Sequence, residues 1–348
     1  MTTTGGTRPT FDSALRDLHA LLDRLPLPEL RDTRIFATGC TGFVGYWLLS
    51  AIECLNRRGQ DIEVIALSRD PGTFLTRFPE FANRPWLVPW AGDVVDFRLP
   101  EGRFDWIIHG ASDTSPQAAD RPEAVLHSMG AGTRHLLDGF ATRGCRGFLL
   151  LSSGVVYGEQ PADLAAFPEA HSLPTATLAN AEPYAEGKRL MERKCATPPP
   201  GLPAAVVARC FAFLGPHLQQ HLAPSQFMRD ALGGRAIEIR GNGTPRRSYL
   251  YAADLALWLL TLLVRGTAGR AYNVGGETPI SMAELAELIR GASASAAPVR
   301  ILGTATDGPR RSYIPDITRA RHELGLDAWT PVSLALSRMA DSLRDPAR

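Results

Sequence analysis

The sequence predicts a doubly wound α/β fold: a parallel sheet covered on both faces, with a smaller, partly interleaved α/β domain attached. Three observations carry this. Short apolar strand patterns alternate with helical ones from Arg34 onward, and a glycine-rich turn, TGCTGFVG, directly follows the first strand pattern. After the PPP run at 198–200 the texture changes to short elements and turn signals. Strands joined through helices run parallel, and a parallel sheet needs cover on both faces.

Taken in order, residues 1–10 are polar and expected to be disordered. Phe11, Leu15, Leu18, Leu22 and Leu25 are spaced to line one face of a helix that stops at Pro26. Strands are expected at 34–37, 61–67, 86–90, 105–109 and 147–152, with helices at 44–56 and 123–143. One more strand is expected at 205–208. The division that follows is an N-terminal extension at 1–32, a dinucleotide-binding domain at 33–200, and a mainly substrate-binding domain at 201–348 with segments returning to the first.

Composition narrows the function classes. The 348 residues carry a formal net charge of +1, which offers no field for nucleic acid or a membrane surface. The longest apolar run, LALWLLTLLV at 255–264, falls short of the roughly 18 residues that span a bilayer. The N-terminus lacks the basic-then-apolar plan of a secretory signal. Five scattered cysteines without CxxC spacing fit reduced thiols in a cytoplasm, with neither a disulfide framework nor a metal site.

The turn places Gly39, Gly42 and Gly45 between a strand and a helix. In a Rossmann-type unit such glycines allow a tight turn, close approach of backbone to a pyrophosphate, and packing of helix on strand. The helix N-terminus then presents free N–H groups to the phosphates. Thr41, Phe43 and Val44 are expected to share that contact, and Asp93 and Val94, after the third strand, to meet the adenine end. Ala111 and Phe211 are expected on the cofactor as well. At the end of the second strand, where NAD sites place an acid, stand Ser68, Arg69 and Asp70. With Ser68 in the acid position, Arg69 can pair with a 2′-phosphate, which favours NADP; a register shifted by two residues would bring Asp70 to NAD.

The chain has only two lysines, Lys188 and Lys194. Lys188 lies four residues after Tyr184, on the same helical face, and Pro183 suits that helix's first turn. Ser152 and Ser153 end the fifth strand, the side of the sheet where ligands bind. A phenol has a pKa of about 10; a neighbouring cation favours the phenolate and lowers that value. An ammonium is compact and flexible enough to stand by the ring and still reach a ribose, whereas a guanidinium is broad and planar. A serine hydroxyl on the same substrate oxygen would polarise the developing carbonyl. Ser153, Tyr184 and Lys188 therefore suit proton transfer coupled to hydride transfer.

Together, TGCTGFVG, SSGVVYG and YAEGK resemble the extended short-chain dehydrogenase/reductase family, in its nucleotide-sugar epimerase/dehydratase branch. The resemblance runs from about Arg34 to Asp327 and includes RCFAFLGP at 209–216, GNGTPRRSYLYAAD at 241–254 and YNVG at 272–275. It implies a nucleotide-diphosphate sugar in a cleft, with Tyr184 as acid/base, Lys188 its partner and Ser153 the third member. Ser112 would touch the substrate and Arg247 hold its diphosphate. It also implies a homodimer formed through two helices of each subunit, one of them the Tyr184 helix.

Three departures stand out. Branch members that dehydrate hexoses carry an Asp-Glu pair where Gly154 and Val155 stand, which disfavours a standard 4,6-dehydratase. Branch asparagines are replaced by Met129 and Ala212, which suggests an altered pocket. What remains is a 4-epimerase working through a transient 4-keto sugar, or an NADPH-dependent 4-ketoreductase, with a decarboxylase-type variant behind them. A non-catalytic dinucleotide sensor is disfavoured by the intact Ser153, Tyr184 and Lys188. His217 and His221, in HLQQH, lie in the expected substrate region and could contact a sugar, but are read as loop residues rather than a metal pair.

Overall fold

In the computed structural model, which describes residues 9–113, 116–174, 182–304 and 312–344, seven parallel strands form one sheet. They are β1 (Arg34–Thr38), β2 (Glu63–Ser68), β3 (Leu87–Ala91), β4 (Trp106–His109), β5 (Gly147–Ser153), β6 (Val206–Cys210) and, later in the chain, Ala271–Val274. The last of these is β11, because four short strands precede it: β7 (Ala212–Leu214), β8 (Ile237–Ile239), β9 (Arg246–Arg247) and β10 (Tyr249–Tyr251). The spatial order is β11-β6-β5-β4-β1-β2-β3. The chain reverses its direction of travel across the sheet between β1 and β4, which opens a crevice at their carboxyl ends.

The strands that sequence reasoning places at 61–67, 86–90 and 205–208 are each shifted by one or two residues, as expected of boundaries. The sheet-facing residues of β1, Ile35 and Phe36, are fully buried, one into each of two cores on opposite faces. Helices α2 (Phe43–Arg57) and, from the second half of the chain, Ala252–Arg265 pack together on one face. On the other face lie α4 (Pro122–Ala141) and α5 (Pro183–Ala196), which pack closely on each other. The apolar run at 255–264 belongs to this buried Ala252–Arg265 helix, and among the described residues no helix is long and apolar enough to cross a membrane.

The N-terminal helix α1 (Pro9–Arg24) begins two residues inside the stretch expected to be disordered; residues 1–8 lie outside those described. Phe11, Leu15, Leu18 and Leu22 are buried against α2 and the Ala252–Arg265 helix. The Asp17 carboxylate accepts from the Tyr251 hydroxyl (2.8 Å) and both nitrogens of the Arg338 fork (2.9 and 2.8 Å).

The remaining elements are α3 (Pro71–Arg77), α6 (Ala223–Leu232), α8 (Met282–Ala292), α9 (Thr318–Leu324) and α10 (Val332–Arg344), the Ala252–Arg265 helix being α7. α3 lies between β2 and β3; the other four, with β12 (Ile280–Ser281), β13 (Val299–Ile301) and β14 (Ser312–Tyr313), complete the second half. Its sheets are small: β10 pairs with β7, β13 with β8, and β9 sits between β12 and β14. The second half thus returns three pieces, β6, α7 and β11, to the main sheet and its cover.

Candidate active site

A cavity of about 980 Å³ opens at the carboxyl ends of β1, β4, β5 and β6 and extends over the short strands. One end is backbone. Gly39 has φ +79°, and a Cβ there would lie 2.5 Å from the Gly110 carbonyl carbon, so β1 and β4 can approach this closely only with glycine. A Cβ on Gly45 would collide with the Cys40 carbonyl. Gly42 differs: it caps α2 without a side-chain hydrogen bond, lines the cavity, and a Cβ there would meet nothing within 4 Å. Open space in front of uncapped helical N–H groups is a cradle for a phosphate, so these residues fit the pyrophosphate of a dinucleotide. Thr41, Phe43 and Val44 line the same end.

The other end is made of hydroxyls. Tyr184, in the first turn of α5, has the Ser112 and Ser153 hydroxyls within hydrogen-bonding reach. Lys188 follows one turn later, is 2% exposed, donates to the Leu151 carbonyl at 2.7 Å and lies 5.6 Å from the Tyr184 ring centre. Burial pulls the ammonium down to about 8, and burial also pushes the Tyr184 phenol up to about 12, against the pull of the two serine hydroxyls. The sequence leads one to expect a phenol lowered by its lysine; in this structure burial dominates instead, and Tyr184 stands protonated at neutral pH.

Two hydrogen-bonded sets hold these groups, and neither is signalled by a local motif. Behind β5, the Ser152 hydroxyl donates to Glu192 of α5 (2.5 Å), and Glu192 also receives two bonds from Arg209 of β6 (3.1 and 2.8 Å). This ties the Tyr184 helix to two strands. Beneath the glycine end, the Thr133 hydroxyl donates to the Met129 carbonyl (2.7 Å) and so accepts from His109 Nε2 (2.9 Å). Nδ1 is then an acceptor for the Thr38 hydroxyl (2.8 Å), whose oxygen takes the Gly110 and Ala111 amides (3.2 and 3.1 Å). That tautomer is assigned from the network. Burial, and next the Lys188 charge, lower His109 to about 3, keeping it neutral.

Of the expected site residues, the cavity brings together Gly39, Thr41, Gly42, Phe43, Val44, Ser112, Ser153, Tyr184, Lys188, Phe211 and Arg247. It does not reach Gly45, Ser68, Arg69, Asp93, Val94 or Ala111. Val94 packs into the core against Gly132, and the Asp93 carboxylate accepts from the Val95 amide at 3.1 Å. Ser68 and Arg69 sit at the end of β2, and Asp70 caps α3 by accepting from the Thr73 amide (2.9 Å). Ala212 lines the cavity as expected of a pocket position, whereas Met129 is a core residue wedged against Gly187 of α5. His221 reaches the rim, while His217 packs 4.2 Å from the Tyr46 ring. Cys210 and Tyr313 line the cavity without having been singled out in the sequence. Among the described residues no group of three or more His, Cys, Asp or Glu could hold a metal.

A parallel switch-point crevice with glycines at one end and a Ser-Tyr-Lys set at the other defines a dinucleotide-dependent oxidoreductase-type fold. The pattern of the NAD dependent epimerase/dehydratase family matches residues 35–275, and the chain belongs to that family, as an NAD-dependent nucleotide-sugar enzyme. A UDP-glucuronic acid decarboxylase from Danio rerio is 28% identical over 325 residues, covering 90% of this chain and 73% of the relative. Two solved structures share the fold. One is a dTDP-glucose 4,6-dehydratase from Streptomyces venezuelae with NAD bound (TM-score 0.75, 21% identity, 90% of this chain and 97% of that chain). The other is a UDP-glucose 4-epimerase from Thermotoga maritima solved with UDP-glucose (TM-score 0.72, 19% identity, 90% and 100%).

Proposed function

We propose that the protein oxidises and re-reduces a ring carbinol of a nucleotide-diphosphate sugar, epimerising it, at C4 by analogy, through a transient keto sugar. The observation that carries this reading is the hydroxyl end itself: Tyr184, Ser112 and Ser153 converge there with Lys188 behind, while Gly154 and Val155 supply no carboxylate next to Ser153. Loss of water from the sugar needs a further acid and base beside the ring; oxidation and reduction at one carbon need only the single acid/base that Tyr184 supplies.

A nicotinamide cofactor, held by the glycine turn, Phe43, Val44 and Lys188, would take up and return the hydride. As the phenolate, which the Lys188 charge and a bound cationic nicotinamide would favour against burial, Tyr184 would take the carbinol proton on oxidation, and as the resulting phenol it would give that proton back to the carbonyl oxygen on reduction. Ser153 donates a hydrogen bond to that oxygen and keeps it aimed at the phenol. Lys188 adds positive charge next to the phenol and is held in place by the Leu151 carbonyl. Arg247 lines the same cavity and suits a diphosphate, which guanidinium binds in a two-point fashion.

A second reading, an NADPH-dependent keto-sugar reductase, is favoured by the end of β2. Asp70 is engaged as the α3 cap, which leaves Ser68 and Arg69 to meet a 2′-phosphate. Purified protein incubated with UDP-glucose, UDP-glucuronic acid and dTDP-glucose, without added cofactor, separates the two. Epimer formation by retained cofactor supports the first. Activity only on a keto sugar with added NADPH supports the second, and no turnover under either condition sinks both.

A further inference from the structure

Lys188 is held by more than its bond to the Leu151 carbonyl. Glu192 follows it by four residues on α5, so the two side chains leave the same face of the helix, one turn apart. Both are buried, and they grip consecutive residues of β5. Lys188 donates to the Leu151 carbonyl (2.7 Å), and Glu192 accepts from the Ser152 hydroxyl (2.5 Å). An ion pair with Arg209 (2.8 Å) supports the carboxylate in this buried position. Arg209 is itself fixed from behind, donating to the Tyr157 hydroxyl (2.9 Å) and the Glu169 carbonyl (3.3 Å).

The other titratable groups set against the ammonium bring it no negative charge. Burial pushes the thiols of Cys195 on α5 and Cys210 on β6 up to about 12, and it keeps Tyr184 and, on β4, His109 neutral. From α4, Met129 packs on this part of α5. Among the described residues around Lys188, Glu192 is thus the anion, and its charge opposes the burial that favours a neutral amine.

We propose that Glu192 is a positioning residue for the reaction: a buried carboxylate, one turn along α5, that keeps Lys188 charged in its slot beside the Tyr184 phenol. It does not line the cavity and acts through Lys188. This rests on the role given to Lys188 above, but its test needs no turnover.

Having only two lysines in the chain makes the test direct. Full-length protein labelled with carbon-13 at the lysine ε position gives two resonances, and in a Lys194→Arg background the one that remains reports Lys188. Its titration midpoint, about 8 with Glu192 in place, should fall by about one pH unit in Glu192→Gln, which keeps the shape of the side chain and removes its charge. The alkaline limb of kcat should move down with it, on whichever of UDP-glucose, UDP-glucuronic acid and dTDP-glucose is turned over. The double variant Glu192→Gln/Arg209→Met also removes the cation left unpaired, and it stands in if the single variant does not fold. It too should titrate below the wild type. A folded variant whose Lys188 midpoint stays at the wild-type value overturns the proposal, because a residue that only braces α5 would change the melting temperature and leave that midpoint alone. Failure of the nucleotide-sugar reading looks different: a wild type that turns over none of the three while its Lys188 midpoint still depends on Glu192.

Discussion

At its glycine end the cavity is lined chiefly by one short stretch, Gly39 and Thr41 to Val44, and what matters there is backbone: the turn at Gly39, the open space at Gly42, the first turn of α2. At its hydroxyl end the wall is built from side chains on five separate stretches, Ser112, Ser153, Tyr184, Arg247 and Tyr313. The first kind of site is vulnerable to an added atom and indifferent to most neighbours. The second is vulnerable to a lost atom and depends on the packing of every element that carries one of its members. The two ends should therefore fail in different ways, and substitutions can set them apart.

The largest effect is expected at the hydroxyl end. Tyr184→Phe should lower kcat by about 10²–10⁴ with the melting temperature unchanged; a folded variant with near-normal turnover would remove Tyr184 from the chemistry. Next come paired changes at the glycine end. Gly45→Ala drives a methyl into the Cys40 carbonyl and should cost about 3 kcal/mol or more of stability, read by denaturant melting. Gly42→Ala should melt like the wild type but lose dinucleotide affinity in titration calorimetry, because its methyl enters open cavity. If both variants behaved alike, the distinction between a packing glycine and a binding glycine would collapse.

The pH profile sharpens the comparison further. Burial disfavours the charged form of Lys188, so the ammonium loses its proton at about 8, earlier than an exposed lysine at about 10.4. Turnover should hold up to about pH 8 and then drop about tenfold per unit, while dinucleotide binding by backbone N–H groups changes less. A profile flat to pH 10 would contradict this role for Lys188. The smallest effect belongs to Lys194, six residues along the same helix at a shallow surface depression with Arg134 and Asp138. Lys194→Arg should leave kcat within twofold, whereas Lys188→Arg, with a broad guanidinium in a buried slot, should abolish measurable turnover. Equal outcomes for the two would end the account of Lys188.

The same contrast explains what could be read in advance. The glycine turn, the alternation of strands and helices, and the i, i+4 pair Tyr184 and Lys188 are local patterns, and each forms where the residues predict. Tyr313 carries no local signal, because it reaches the cavity through a two-residue strand paired with another two-residue strand. Ser112 was expected on the substrate, but its approach to Tyr184 depends on how β4 and α5 sit together. Asp93 and Val94 follow a strand as expected, yet the turn closes on itself and carries Val94 into the core. Met129 was expected to reshape the pocket, but a helix face decides burial, and Met129 faces α5.

Asp17 and Arg338 stand 321 residues apart in the chain and share two hydrogen bonds. At roughly 5–20 residues per second, a ribosome finishes one partner on the order of a quarter of a minute to a minute before the other. Through that interval the carboxylate side of α1 waits without its arginine. The helix that carries Arg338 also packs on β7 and on β10, which follows the Arg247 strand in the chain. Closure of this contact must therefore wait until α10 has been made, and it joins the first helix of the described chain to the last.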